Sequence, residues 1–286
     1  MSLLKHIGSN MKNYKICQKL NYASESEEKK SNVDLVTRII HEKMKESGIS
    51  LATSKDKKID YVFSIGGDGT MLHSMHHNVN KNALIIGINA GNVGFLTPYN
   101  ISDVENESIF SFLNKEYRIE KRSILQHKIG KKRGIAVNDY VIKPPDISGM
   151  VDYSIEIEHR GHISRAGHYR ADGILISGPC GSTAYNMNAG GAIVDPSVKC
   201  MQILMMAPTT LGARPLIIGK NSTIHIHCKN NVKILSDGIL YHEVKSEEET
   251  LSISLLPKES NILVPDDWNF YSVLSKKLHW NNGRDV

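Results

Sequence analysis

The chain has 286 residues, 40% of them hydrophobic and 23% charged, with a formal net charge of +5. That balance excludes a disordered, collagenous or coiled-coil chain, and the length is a soft prior for two domains, each able to bury a core without disulfide or metal staples. The mild positive charge suits anionic small molecules as readily as nucleic acid; with 6% aromatics and no Arg-rich run, a nucleic-acid partner is the weaker inference.

Met11 offers a more natural start than Met1, so residues 1–10 read as extraneous, and no apolar segment with a cleavage site marks a secretory signal. Residues 14–20 read as a strand, and after a polar turn rich in Ser and Glu, residues 33–45 carry Val33, Val36, Ile39, Ile40 and Met44 at helical spacing. A buried strand is predicted over 61–65, broken by glycines at 66–69, then a helix over 70–77 and a strand over 83–88. Ser102 and Glu105 form a predicted capping box ahead of an amphipathic segment at 104–113. Beyond Tyr117 the rhythm becomes β-rich, with strands expected at 124–129, 134–142, 153–158, 162–169, 173–176, 223–228, 232–235 and 251–256. One helix is expected at 182–188, a strand at 262–264 and an amphipathic helix at 270–278. The fold class is therefore α/β plus all-β: a Rossmann-like parallel domain over 14–117, a mostly β domain over 118–259, and residues 260–286 returning to the first.

Cys17, Cys180, Cys200 and Cys228 form no CxxC pair, which argues against a zinc ribbon, a redox motif or a secreted disulfide framework and makes reduced cytoplasmic thiols the default. The longest apolar stretch, 200–218, holds Pro208, Arg214 and Pro215, so no membrane-spanning helix is expected.

Gly66-Gly67-Asp68-Gly69-Thr70 is the sharpest local signal. Glycines directly after a strand let backbone N–H groups converge on an anion, and a following helix adds its dipole. A carboxylate beside such a phosphate cradle is repelled by the ligand unless it holds Mg²⁺ or takes a proton from an attacking hydroxyl; either role means phosphoryl transfer. The plainer alternative is a tight turn in which Asp68 is solvated or caps the helix.

An ordered set of blocks accompanies it: Gly87-Ile88-Asn89-Ala90-Gly91-Asn92-Val93-Gly94-Phe95-Leu96-Thr97, Ala136-Val137-Asn138-Asp139, Tyr169-Arg170-Ala171-Asp172-Gly173, Gly181-Ser182-Thr183-Ala184-Tyr185 continuing to Ala189-Gly190-Gly191, Arg214-Pro215-Leu216 and Asp237-Gly238. From about Lys15 to its end the chain resembles the NAD kinase family, which phosphorylates the adenosine 2′-hydroxyl of NAD to make NADP. The first block alone is shared with lipid kinases and, approximately, phosphofructokinases, but their other blocks are absent.

The resemblance implies Asp68 as general base, with Gly66, Gly67, Gly69 and Thr70 around the phosphates of ATP, and Mg²⁺ accompanying ATP without a dedicated side-chain cage. Asn138 and Asp139 match the family's Asn-Glu pair, implied to grip the adenosine moiety of NAD; Asp139 is one methylene shorter. Arg170 and Ser182 fall in binding blocks, Thr183, Ala184 and Tyr185 would border the adenine, and Phe95 matches an apolar contact beneath it. Asp172 would reach the nicotinamide ribose from a neighbouring subunit, implying a homodimer or homotetramer. Asp237 falls near the nicotinamide pocket, although Asp-Gly between apolar runs is also a hairpin signal. Gly178, Cys180, Ala171 and Thr209 depart from the family pattern.

His73, His76 and His77 could offer two metal ligands at i, i+4 spacing, but a solvated face explains them better. His225 and His227 alternate on one strand face and are expected at the surface; Lys128 to Arg133 reads as a hairpin turn. Two alternatives to an NAD kinase stay open: a kinase for a lipid or sugar hydroxyl, and a non-catalytic NAD-binding regulator descended from such a kinase.

Overall fold

The computed structural model describes residues 12–18, 26–53, 56, 58–79, 82–91, 94–114, 117–146, 149–244 and 249–279. The proposed start at Met11, the end of the first predicted strand at 19–20, and Asn92 and Val93 of the second block lie outside them. The chain divides into two compact units, residues 1–121 with 260–286, and residues 122–259.

The first unit contains β1 (Asn13–Gln18), α1 (Glu27–Glu46), β2 (Ser50–Leu51), β3 (Tyr61–Gly66), α2 (Asp68–Asn78), β4 (Leu84–Asn89), β5 (Tyr99–Asn100) and α3 (Ile101–Glu105). Its sheet runs β2-β1-β3-β4 with every pair parallel, and β5 shares the far edge of β4 with residues 261–262. β3 and β4 are buried along nearly their whole length, so they read as unbroken apolar runs rather than alternating ones. α1 turns Val33, Val36, Ile40 and Met44 into the core that holds Tyr14, Phe63 and Ile86.

Two helix expectations here need correction. α1 begins at Glu27, well before residue 33, because Ser26 caps the Lys29 N–H and Glu27 and Glu28 complement the dipole in a first turn that has no apolar face. The capping box is Asn100 with Asp103 rather than Ser102 with Glu105. α3 then stops at Glu105, and Glu107 in the left-handed region (φ +62°) starts a separate 3₁₀ helix at Ser108–Leu113.

β6 (Arg118–Ile129) carries the chain into the second unit, followed by β7 (Lys132–Ala136), β8 (Asp139–Lys143), β9 (Val151–His159), β10 (His162–Ala171), β11 (Gly173–Ser177), a 3₁₀ turn (Cys180–Thr183), α4 (Tyr185–Asn188), β12 (Cys200–Met206), β13 (Leu216–Gly219), β14 (Ser222–Cys228), β15 (Val232–Ser236), β16 (Ile239–Val244) and β17 (Leu251–Val264). One antiparallel sheet runs β10-β9-β14-β17 with β6 and β7 beyond β17; the other runs β13-β12-β11-β8-β15-β16. Tyr153, Ile155 and Ile224 from the first share a core with Ile142, Ile174 and Ile234 from the second, the inward-facing alternation of a β-sandwich. β17 ends in the first unit, to which α5 (Phe270–Leu278) also belongs, so the C-terminal segment returns there.

The run expected at 134–142 is two strands, β7 and β8, parted at Val137 and Asn138. Residues 251–256 and 262–264 are one strand, β17; its Pro257 lies beyond Ser254, the last residue registered against β14, where no ladder donor on that side is missed. The predicted helix at 182–188 is a 3₁₀ turn followed by the short α4. β12, β13 and β16 were not anticipated: β12 is Met-rich and buried without alternation, and β13 and β16 are short edge strands with exposed side chains.

Candidate active site

In the first unit, Gly66 ends β3 with φ +153°, and a Cβ there would collide with the Thr70 side chain. Glycine lets the strand turn directly into α2 while Thr70 packs against the turn. Gly67 is the N-cap and Asp68 the first helical residue, so the Asp68 and Gly69 amides open the helix without an intrahelical acceptor, the arrangement that favours a phosphate, while the Thr70 N–H donates to the Gly67 carbonyl at 3.0 Å.

Asp68 is half-buried, and its two oxygens accept the backbone N–H groups of Phe95 and Leu96, each at 2.9 Å. Those bonds orient the carboxylate, and each oxygen keeps a second lone pair. Gly94 permits the approach, since a Cβ there would strike Asp68 Oδ1 and Thr97 Oγ1. Asn89 Nδ2 donates to Thr97 Oγ1 at 2.8 Å, and the Lys277 ammonium lies 4.8 Å from the centroid of the Phe95 ring. Asn89 belongs to the Gly87–Thr97 block, in which the resemblance gives it no role, and nothing in the sequence around Lys277 marks it.

In the second unit, Asn138 and Asp139 occupy the break between β7 and β8. The Asp237 carboxylate grips this break, accepting the N–H groups of Val137 (2.9 Å), Asn138 (2.7 Å) and Asp139 (3.3 Å). Asp237 and Gly238, at φ +49° and +79°, do form the hairpin turn between β15 and β16, but the side chain acts well beyond its own hairpin. Gly181 packs so closely that a Cβ would overlap the Asn138 carbonyl.

Asn138, Asp139, Asp172, Ala184, Tyr185 and Asp237 line one cleft of about 590 Å³ in this unit. Asp172 lines the cleft of its own chain. Asp146 and Lys143 also face it, so four carboxylates meet one ammonium. Asp139 is 5% exposed, and burial, reinforced by the Asp237 charge, pushes its carboxyl up to about 7. Asn138 Oδ1 is buried without a hydrogen-bond donor, leaving an acceptor for a ligand N–H or O–H.

Other predicted residues lie outside that lining. Arg170 is exposed; its carbonyl accepts the Thr209 N–H and hydroxyl. Ser182 is fully buried, its hydroxyl bonded to the Pro179 carbonyl and the Val194 backbone, and Thr183 Oγ1 reaches the Cys180 carbonyl. Sequence reading also passed over Gln202, buried and bonded through both ends of its amide to Ala192 just after Gly190 and Gly191.

All four cysteines are buried and none is joined in a disulfide; burial pushes Cys228 up to about 12. Among the described residues no three His, Cys, Asp or Glu side chains gather as a metal site, and the His73 and His77 rings lie against each other at 4.2 Å. His225 and His227 are not simply solvated: they meet Glu158 and Glu156 across β9 at 3.0 and 3.5 Å. No described helix is long and apolar enough to cross a membrane.

A glycine turn that opens a helix on a carboxylate, carried by a parallel sheet and followed by an antiparallel sandwich, defines a kinase of the nucleotide-handling kind. The ATP-NAD kinase N-terminal domain model matches residues 5–117 and the ATP-NAD kinase C-terminal domain model residues 137–264. The NAD kinase of Buchnera aphidicola subsp. Baizongia pistaciae is 33% identical over 260 residues, 87% of each chain. That of Escherichia coli O7:K1 is 34% identical over 230 residues, 78% of this chain and 77% of its own. Among solved structures, yeast NADH kinase complexed with NADH aligns at a TM-score of 0.81 and 19% identity, covering 97% of this chain and 90% of that one. An Archaeoglobus fulgidus NAD kinase in complex with ATP aligns at 0.70 and 19%, covering 92% and 98%; these two likenesses establish the fold. The chain belongs to the NAD kinase family.

Proposed function

We propose that the chain transfers the γ-phosphoryl group of ATP to the adenosine 2′-hydroxyl of NAD, giving NADP and ADP. The observation that carries this reading is the Asp68 carboxylate, fixed by two backbone amides at the opening of α2 beside the glycine turn. As the ribose oxygen bonds to the γ-phosphorus, its proton passes to Asp68, and the bond to the bridging oxygen breaks with its electron pair leaving on ADP. Gly66, Gly67, Gly69 and Thr70 supply the phosphate turn. Asn138 and Asp139 grip the adenosine moiety, with Thr183, Ala184, Tyr185 and Phe95 about the base and Asp172 and Asp237 toward the nicotinamide riboside.

Mg²⁺ fits this chemistry: it is a hard cation that takes one or two carboxylates and completes its shell with phosphate oxygens and water. The ion would arrive with ATP and neutralise charge on the triphosphate, while Asp68, whose two oxygens accept the Phe95 and Leu96 amides, keeps its remaining lone pairs for the ribose proton. We extend the proposal to a cytoplasmic enzyme, in keeping with four unbridged buried thiols, and to a homodimer or homotetramer. The test is NADP formation by purified protein from NAD, ATP and Mg²⁺, read through an NADP-specific dehydrogenase. NADP at catalytic turnover supports the reading; tight NAD binding without NADP under varied donors and metals would replace it with a regulator, and phosphate transfer to a lipid or sugar alone would replace it with a different kinase.

A further inference from the structure

The Asp68 carboxylate takes its orientation from the Phe95 and Leu96 amides, so whatever fixes residues 94–97 also fixes the base. Two side chains from other elements do so. Asn89, at the end of β4, is buried and held at both ends of its amide: the nitrogen donates to Thr97 Oγ1 at 2.8 Å, and the carbonyl oxygen accepts the Gly91 N–H at 2.7 Å. Thr97 is itself 3% exposed and adjoins Leu96. At the other end, Lys277 from the last turn of α5 sets its ammonium 4.8 Å from the Phe95 ring centroid, an attraction worth more where the partners are shielded from water. Gly94 closes the arrangement, because Asp68 and Thr97 both crowd the space its missing Cβ would fill.

We propose that Asn89 and Lys277 are positioning residues for Asp68, acting through the 94–97 loop and touching neither reacting atom. The inference rests on the reading of Asp68 as the base. It makes the C-terminal helix part of the catalytic apparatus, although no local motif marks it. The coupling is geometric: small displacements of a catalytic group can reduce rate by up to about 100-fold with little change in binding.

The variants are Thr97→Val, which keeps shape but removes the acceptor for Asn89, and Lys277→Met, which keeps an apolar stem without the cation, with Lys277→Arg as the conservative control. Steady-state kinetics with NAD and ATP are paired with amide hydrogen exchange at Phe95 and Leu96. The expected result is kcat lower by about tenfold in Thr97→Val and Lys277→Met, KM for both nucleotides within about twofold, recovery in Lys277→Arg, and faster exchange of both amides. Unchanged kcat in both variants, or a rise in KM alone, would overturn the proposal, as would unaltered exchange. Should the parent protein form no NADP, the proposed function fails; the loop claim is then decided by exchange, which must quicken in Asp68→Ala and in both variants or the claim fails as well.

Discussion

The Asp237 carboxylate accepts the Asn138 backbone N–H at 2.7 Å across 99 residues of chain. With its bonds to Val137 and Asp139, it turns a break between two strands into a fixed shelf on the wall of the acidic cleft. Removing it leaves three amides without their acceptor, a loss of about 1–3 kcal/mol where such groups stay dry. Asp237→Ala is expected to lower the melting temperature and raise the KM for NAD by about tenfold, whereas Asp237→Asn, which keeps an acceptor oxygen and tolerates the left-handed backbone, loses much less. Thermal unfolding and NAD titrations on the two variants check this; equal behaviour of Ala and Asn would contradict the clamp.

Asp139 makes the cleft pH-sensitive. Its folded pKa, about 7, lies above the ordinary carboxylate value, so the folded protein holds more protons than the unfolded chain between roughly pH 4 and pH 7, and stability falls as pH rises through that window. The ionised form is the stronger acceptor for ribose hydroxyls and presents both oxygens to them, so NAD affinity is expected to rise severalfold from about pH 6 to about pH 8. Asp139→Asn is expected to flatten both trends and to raise the melting temperature at the alkaline end. Isothermal titration and thermal melts across that range provide the check; an affinity that falls with pH would refute the assignment.

Gly181 sits where backbone meets backbone. A methyl group placed there meets the Asn138 carbonyl, which cannot rotate away as a side chain could. Gly181→Ala is therefore expected to destabilise the second unit by about 1–3 kcal/mol and to weaken NAD binding through Asn138, while Gly212→Ala, with open space around its Cβ position, leaves both unchanged. Chemical denaturation of the two variants distinguishes a specific close approach from a general dislike of alanine.

The local features were legible and the distant ones were not. Gly66 to Thr70 announced itself because an apolar strand, a glycine turn and a helix follow one another within a few residues, and α5 showed its whole extent through helical periodicity. β12 escaped because CMQILMM has one β-branched residue and an interior Gln, unlike the Val-, Ile- and aromatic-rich runs of β3 and β4, and α1 was cut short because its first turn is held by Ser26 and two glutamates rather than by an apolar stripe. Within the candidate site, the Asp-Gly pair at 237–238 disclosed its hairpin, yet its grip on residues 137–139 depends on β15 lying beside β8. Lys277 was invisible for the same reason: a cation near a chain end acquires meaning only when the fold delivers Phe95 to it.

The central claim is that Asp68 moves a proton and does not merely shape the turn. Asp68→Asn preserves size and one acceptor oxygen but cannot take the proton, so kcat for NADP formation is expected to fall by more than about 100-fold while the dissociation constant for NAD stays within about threefold. A variant that binds NAD normally and still turns over within tenfold of the parent would show that the carboxylate only holds the Phe95 and Leu96 amides, and that another group, or none, accepts the proton.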